Sequence, residues 1–353
     1  PPGKTPHPPG RRRRHGETAM NTTTLEPRTT PALTPKPRFL DGLAQRAVRQ
    51  RLAGLKHGML VVSDGSLQER YGRRTATCPL SATIHVHDAR FYSDIAFGGS
   101  IGAGEAYMLG YWSTNDLTAL VRMLLLNRSV LDGMETGLAR VTAPLQKALH
   151  WLNRNTESGS RRNISAHYDL GNDFFRLFLD PSMMYSSAIF AHPGMTLEQA
   201  SMTKLDRICR KLDLKPTDHV LEIGTGWGGF ALHAARHYGC RVTTTTISRE
   251  QYALASERVR AAGLADRVSV LLEDYRNLSG QYDKLVSIEM IEAVGHAYYD
   301  TYFRQCSALL KPDGMMLLQA ITIADHRYEE ARRSVDFIQR YIFPGSCIPS
   351  VAA

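Results

Sequence analysis

Cysteine is scarce in this chain and never paired. Its five copies, Cys78, Cys209, Cys240, Cys306 and Cys347, stand far apart with no C-x-x-C among them. That argues against a disulfide framework or a zinc site and fits a reducing cytoplasm. Long apolar runs are missing too. No stretch of about 18 residues is uninterrupted by polar ones, so no segment reads as a membrane span, and the start lacks the apolar core of a signal peptide. Acidic residues are rare at the front: residues 1–60 hold twelve Lys/Arg against three Asp/Glu and so carry the whole net charge of +9. A basic front on a neutral body suggests an acidic surface partner. No aromatic residue interleaves Arg11 to Arg14, and no nucleic-acid module follows them, which favours anionic headgroups over nucleic acid.

The 353 residues leave room for two domains. Residues 1–37, rich in Pro, Thr and Arg, are predicted to be a disordered tail, with residues 1–19 ahead of Met20 read as an upstream extension. Residues 38–153 are predicted to form a small α+β domain. It opens with a basic amphipathic helix, Phe39 to Lys56, which suits a membrane interface as well as packing on its own domain. Met59–Val62, Thr75–Cys78, Ala82–His87 and Phe91–Ala96 read as strands between glycine-containing turns. Asn115–Asn127 and Val130–Asn153 read as helices. His85 and His87 have no carboxylate or cysteine cluster near them, so no metal site is expected. Residues 154–163 read as a linker, and residues 164–353 as the second domain.

That second domain is organised around Val220 to Gly229. Leu221 and Ile223 alternate with Glu222 as in a buried strand, and Gly224, Gly226, Gly228 and Gly229 then crowd into six positions before helical spacing resumes at Phe230. Strand, glycine turn and helix is how an open α/β sheet holds a nucleotide-like ligand at its carboxyl edge, because glycine lets the backbone come close and take positive φ. Strands are predicted at 219–223, 241–246, 267–272, 283–288 and 314–321, and helices at 196–214, 228–238, 248–262, 297–310 and 326–342. Such alternation means a parallel sheet with right-handed crossovers. Lys311-Pro-Asp-Gly314 reads as a turn ahead of the fifth strand.

The G-x-G-x-G-G spacing, with Glu222 two positions ahead of it, resembles the cofactor loop of S-adenosylmethionine (SAM) methyltransferases. Four more motifs stand in order around it: His167-Tyr-Asp-Leu-Gly-Asn172, Tyr185-Ser-Ser-Ala188, Glu289-Met-Ile-Glu-Ala-Val-Gly-His296 and Tyr341-Ile-Phe-Pro-Gly345. Together they resemble the cyclopropane fatty acid synthases over residues of about 58 to 353. The resemblance implies a Rossmann-like SAM methyltransferase fold preceded by a small α+β lipid-binding domain. It also implies that the chain stops short of the family's last segment. The implied reaction is methylenation of the double bond of an unsaturated phospholipid acyl chain, with SAM as donor. The implied setting is cytoplasmic, at the inner face of the membrane. The partners implied are that phospholipid and the anionic headgroups reached by the basic N-terminus, with no nucleic acid and with a homodimer left open.

Site residues carry over by position. Tyr185 and Ser186 match the loop that closes over the cofactor, and Glu222, Gly224, Gly226 and Gly228 the segment against its methionine part. Thr246 and Gln251 match the ribose and adenine border, and Asp274 and Tyr275 the residues beside the adenine. An alkene is a feeble nucleophile, so the site must align its π bond with the methyl, and aromatic faces can stabilise the resulting carbocation. In the family a bound bicarbonate then takes a proton from the transferred methyl, held by a Cys, a Glu, a His and a Tyr. Glu292 matches the Glu, Ser187 stands in the Cys position and Gln319 in the His position. Ala293 replaces a His that often follows the Glu, and the Tyr position lies beyond residue 353. Serine and glutamine still donate hydrogen bonds to an anion. Tyr298, Tyr299, Tyr302 and Phe303 suit an acyl channel or a plain core. The alternatives are a related enzyme that leaves a methyl or methylene branch, or methylates a small amine, and an inactive lipid-binding relative.

Overall fold

The computed structural model describes residues 39–135, 155–156, 159–160, 163–164 and 171–353. The basic tail, most of the linker, the helix expected beyond residue 135 and the His167–Leu170 part of the first motif lie outside the described residues.

The first sheet contains β1 (Gly58–Asp64), β2 (Leu67–Arg73), β3 (Ser81–Val86) and β4 (Trp112–Thr114), in the order β2-β1-β3-β4. β1 runs antiparallel to β2 and parallel to β3. Leu60 and Val62 of β1 and Ala82 and Ile84 of β3 alternate into one core, the period of two that a half-buried sheet requires. Helices α1 (Phe39–Leu52), α2 (Arg90–Met108), α3 (Leu117–Leu126) and α4 (Arg128–Glu135) accompany this sheet. Ala44, Val48 and Leu52 of α1 enter the same core, and Arg49 pairs with Glu69 at 3.0 Å. Ala44, Val48 and Leu52 of α1 thus face its own domain, while Leu43 of the expected apolar face is 48% exposed.

Three expectations for this half change. Phe91–Ala96 is the opening of α2, not a strand: Phe91, Tyr92, Ile95 and Ala96 are all buried, and a one-then-three spacing is a helical face. Thr75–Cys78 is a turn in which Thr75 and Cys78 exchange backbone hydrogen bonds. β2 was not expected because it is mostly exposed and shows no apolar alternation.

The second sheet is all parallel, in the order β7-β6-β5-β8-β9. Its strands are β5 (His219–Ile223), β6 (Arg241–Thr246), β7 (Val268–Leu272), β8 (Tyr282–Ile288) and β9 (Leu310–Gln319). Short α5 (Asn172–Arg176) and α6 (Leu197–Lys211) precede it; α7 (Gly229–Tyr238), α8 (Arg249–Ala261), α9 (Tyr299–Leu309) and α10 (Asp325–Arg333) follow within and after it. Val220, Val242 and Val286 join one core with α6 and α7, while Leu221, Ile223 and Leu285 join the other with α9. Helices on both faces make this an open, doubly wound Rossmann-like α/β fold. Thr196 and Gln199 start α6 with a reciprocal capping box.

Two details differ from the sequence pattern. Lys311 to Gly314 forms a bulge inside β9: Leu310 pairs with Tyr282, yet Met315 already pairs with Lys284. The helix expected over 326–342 stops at Arg333. Asp336 and Gln339 then cap each other's backbone N–H at 2.8 and 3.0 Å, which starts a separate π-helical turn, Ile338–Ile342.

Candidate active site

Strand order reverses beside β5, the chain running out through β6 and β7 and returning through β8 and β9. The crevice at such a switch point is where open α/β sheets bind ligands, and a cavity of about 630 Å³ lies there. The segments after all five strands line it.

The loop after β5 forms one wall. Gly224 and Gly226 have φ of +102° and +52°, values that favour glycine. A Cβ on Gly226 would meet no protein atom within 4 Å, so it would project into space left for a ligand. The N–H groups of Gly224 and Thr225 both donate to Thr245 O, which fixes the turn. Gly228 also has positive φ, but a Cβ there would lie 3.4 Å from Ala255 of α8. It serves helix packing and does not line the cavity. Glu222 is corrected similarly. It is buried beneath the loop, accepts a 2.6 Å hydrogen bond from Thr244 Oγ1 and is absent from the cavity wall. Burial pushes its carboxyl up to about 8, against the pull of Thr244 and Lys204.

Thr246, Gln251, Asp274 and Tyr275 line the same side. Thr246 Oγ1 donates to Gln251 Oε1 at 2.8 Å. The Arg276 guanidinium grips Asp274 through two bonds of 2.8 and 2.6 Å, both side chains being well buried. Burial raises the Tyr275 phenol to about 12, and its ring meets Tyr302 edge-on at 5.5 Å. Tyr302 belongs to the core.

The opposite wall comes from β8, β9 and the 184–187 loop. Tyr185, Ser186, Glu289 and Glu292 line it, together with Ile288, Met290, Ile321 and Phe343. Glu292 Oε1 accepts from Ile321 N, while its Oε2 is buried and has no partner among the described residues. Burial raises this carboxyl above its ordinary range, opposed by the Ile321 bond. Ser187 and Gln319 do not converge on Glu292, as the family resemblance implied. Ser187 N and Oγ donate to Glu289 Oε1 at 3.0 and 2.9 Å, and Gln319 Nε2 donates to the same oxygen at 2.8 Å.

That arrangement does not fit bicarbonate. The donors that would hold the anion already hold a carboxylate of the chain, and Glu292 stands close by. The cofactor wall, in contrast, fits SAM: glycines open a space, and polar groups after β6 and β7 border it.

Glu289 and Lys204 are the site residues that sequence patterning did not single out. Glu289 follows a parallel strand at its carboxyl end, which is a general signal. Lys204 lies on α6 between the buried residues Ser201 and Leu205, so helical spacing placed it inside. Its Nζ donates to Ser186 Oγ at 2.5 Å. Burial pulls it down to about 8, against the carboxylates of Glu289, Glu222 and Asp180.

Residues 155–353 match a family model described as mycolic acid cyclopropane synthetase. The chain belongs to this family. It is 38% identical over 339 residues, 86% of this chain and 76% of the relative, to a protein of Mycobacterium tuberculosis called tuberculostearic acid methyltransferase. It is 39% identical over 273 residues, 76% of this chain and 68% of the relative, to the cyclopropane-fatty-acyl-phospholipid synthase of Escherichia coli. A mycolic acid cyclopropane synthase solved with SAH and CTAB matches at a TM-score of 0.51 and 37% identity, over 54% of this chain and 70% of that one. The protein is thus a SAM-dependent methyltransferase. No helix among the described residues is long and apolar enough to cross a membrane.

Proposed function

We propose that this enzyme transfers a methylene group from SAM to the double bond of an unsaturated phospholipid acyl chain, giving a cyclopropane ring. One observation carries the reading: a single cavity joins the glycine cradle to a wall that is apolar yet holds two carboxylates, Glu289 and Glu292. A small polar acceptor needs no such apolar wall, whereas an acyl chain does. SAM supplies the electrophilic methyl. The Gly224–Trp227 turn positions it, the apolar wall aligns the alkene and excludes water, and an acid on the far side receives the proton.

The work would take place at the cytoplasmic face of a membrane. Leu177 is 81% exposed, and Phe174, Phe178 and Phe190 are also strongly exposed. Phe178 packs 6.3 Å from Tyr185, which itself lines the cavity. Apolar side chains grouped beside a cavity mark a contact with lipid.

A second reading, a methyl or methylene branch without ring closure, is favoured by the likeness to the tuberculostearic acid enzyme. Purified protein is given SAM and vesicles of dioleoyl phosphatidylglycerol and phosphatidylethanolamine, and the fatty acids are analysed by mass spectrometry. A product heavier by one CH2 and inert to ozone is expected. A product heavier by one CH2 that ozone still cleaves establishes the second reading. Tight SAM binding with no product establishes an inactive lipid-binding relative.

A further inference from the structure

Closing a cyclopropane ring requires an acceptor for one proton, and the acid wall already contains a fixed carboxylate. Three donors from two distant segments converge on Glu289 Oε1: Ser187 N, Ser187 Oγ and Gln319 Nε2, at 3.0, 2.9 and 2.8 Å. Among the described residues its Oε2 takes no hydrogen bond, and Glu289 lines the cavity. Its backbone has φ of +49°, a left-handed conformation that is unfavourable for a non-glycine residue. Strain of this kind gathers at sites where a side chain must be held in place. Glu292 is a poorer acceptor, since Ile321 N occupies Oε1 and Oε2 is shut away from the cavity surface.

We propose that Glu289 is the base of the reaction: a carboxylate of the chain itself sits between Ser187 and Gln319 and takes the proton lost from the transferred methyl, so that no bicarbonate is recruited. The inference rests on the methylene transfer proposed above. The alkene π pair forms a bond to the methyl carbon as the carbon–sulfur bond breaks and its electrons leave on sulfur. A cation remains on the neighbouring acyl carbon. One C–H bond of the new methyl then breaks, its electron pair closes the ring onto that cation, and the proton moves to Glu289 Oε2. Release of that proton to solvent restores the carboxylate. Ser187 and Gln319 are positioning residues that fix Oε1 and thereby aim Oε2. Lys204, bonded to Ser186 in the same loop, sets a buried cation beside them.

The test pairs a binding readout with turnover. Carbon-13 bicarbonate is titrated into SAH-loaded protein and followed by NMR line width. Turnover on the dioleoyl vesicles is measured with and without bicarbonate. Wild-type protein should show no saturable broadening and equal rates in both buffers. Glu289→Gly relieves the backbone strain and empties the anion position. It should bind bicarbonate, lose about 100-fold or more in depleted buffer, and recover about tenfold when bicarbonate returns. Glu289→Gln retains an acceptor for Ser187 and Gln319, and should lose a similar factor without rescue while binding SAM normally. Saturable bicarbonate binding by the wild type together with a rate that falls on depletion would overturn the proposal. So would full turnover of Glu289→Gln in depleted buffer. Wild-type protein that binds SAM yet converts no phospholipid would overturn the reaction and with it the proton step. The carbon-13 titration separates that case, because it reads whether Glu289 fills the anion position without any turnover.

Discussion

The two walls of the cavity are built on opposite principles. The cofactor wall is made of backbone: turns after β5, β6 and β7 whose glycines and short polar residues leave space. The acid wall is made of side chains: Glu289 on strained backbone, Glu292 with an orphaned oxygen and Lys204 buried midway along a helix. A backbone cradle tolerates many neighbours but no added Cβ. A cluster of buried charges tolerates no unpaired member, because each ion depends on its partners. Binding should therefore fail on one wall and chemistry on the other.

The sharpest way to break this contrast is Arg276→Leu. It leaves the Asp274 carboxylate, only 2% exposed, without its guanidinium. Loss of one partner of a buried pair should cost about 3–5 kcal/mol. Urea denaturation should show that loss, and an unchanged midpoint would mean that Asp274 is hydrated. Gly226→Val comes next. A branched side chain in left-handed backbone, aimed into the ligand space, should weaken SAM binding about 100-fold or more by calorimetry. Binding that survives would place the cofactor elsewhere.

Glu292→Gln addresses the other wall. Turnover should fall about tenfold or more while SAM affinity stays within a factor of about two to three. Equal losses in both would merge the two walls into one unit. The last prediction concerns Glu222, beneath the cofactor wall. Burial holds its carboxyl at about 8 in the fold, above its ordinary 4.5. A raised value means that its contribution is fully present below the unfolded value and is lost as pH rises through about 8. Glu222→Gln keeps an acceptor for Thr244 and removes that loss. Its melting temperature should match the wild type near pH 4.5 and exceed it increasingly toward pH 8. Parallel pH profiles would show that the wild-type carboxyl is hydrated.

Much of the cofactor wall was legible because it is local. Gly224 and Gly226 lie within one turn, and Thr246, Asp274 and Tyr275 follow directly on strands that periodicity located. Gly228 and Glu222 sit in the same motif yet serve packing. Spacing does not tell a glycine that faces a ligand from one that faces Ala255. The acid wall is non-local. Ser187 and Gln319 are 132 residues apart, yet Gln319 Nε2 donates to Ser187 Oγ at 3.2 Å and both donate to Glu289. Their identities suggested donors to an anion, and the fold supplies that anion from the chain.

The sequence by itself determined the parallel sheet, its five strands and the glycine turn, because periodicity, caps and turns act over a few residues. It also carried the motifs that mark the family. Tertiary structure alone decided that Ala44, Val48 and Leu52 of α1 pack into their own domain and that Glu289 gathers three donors. Those outcomes depend on which segments the sheet order brings together. Burial and partnership of charge are properties of the assembled fold, not of any stretch of chain.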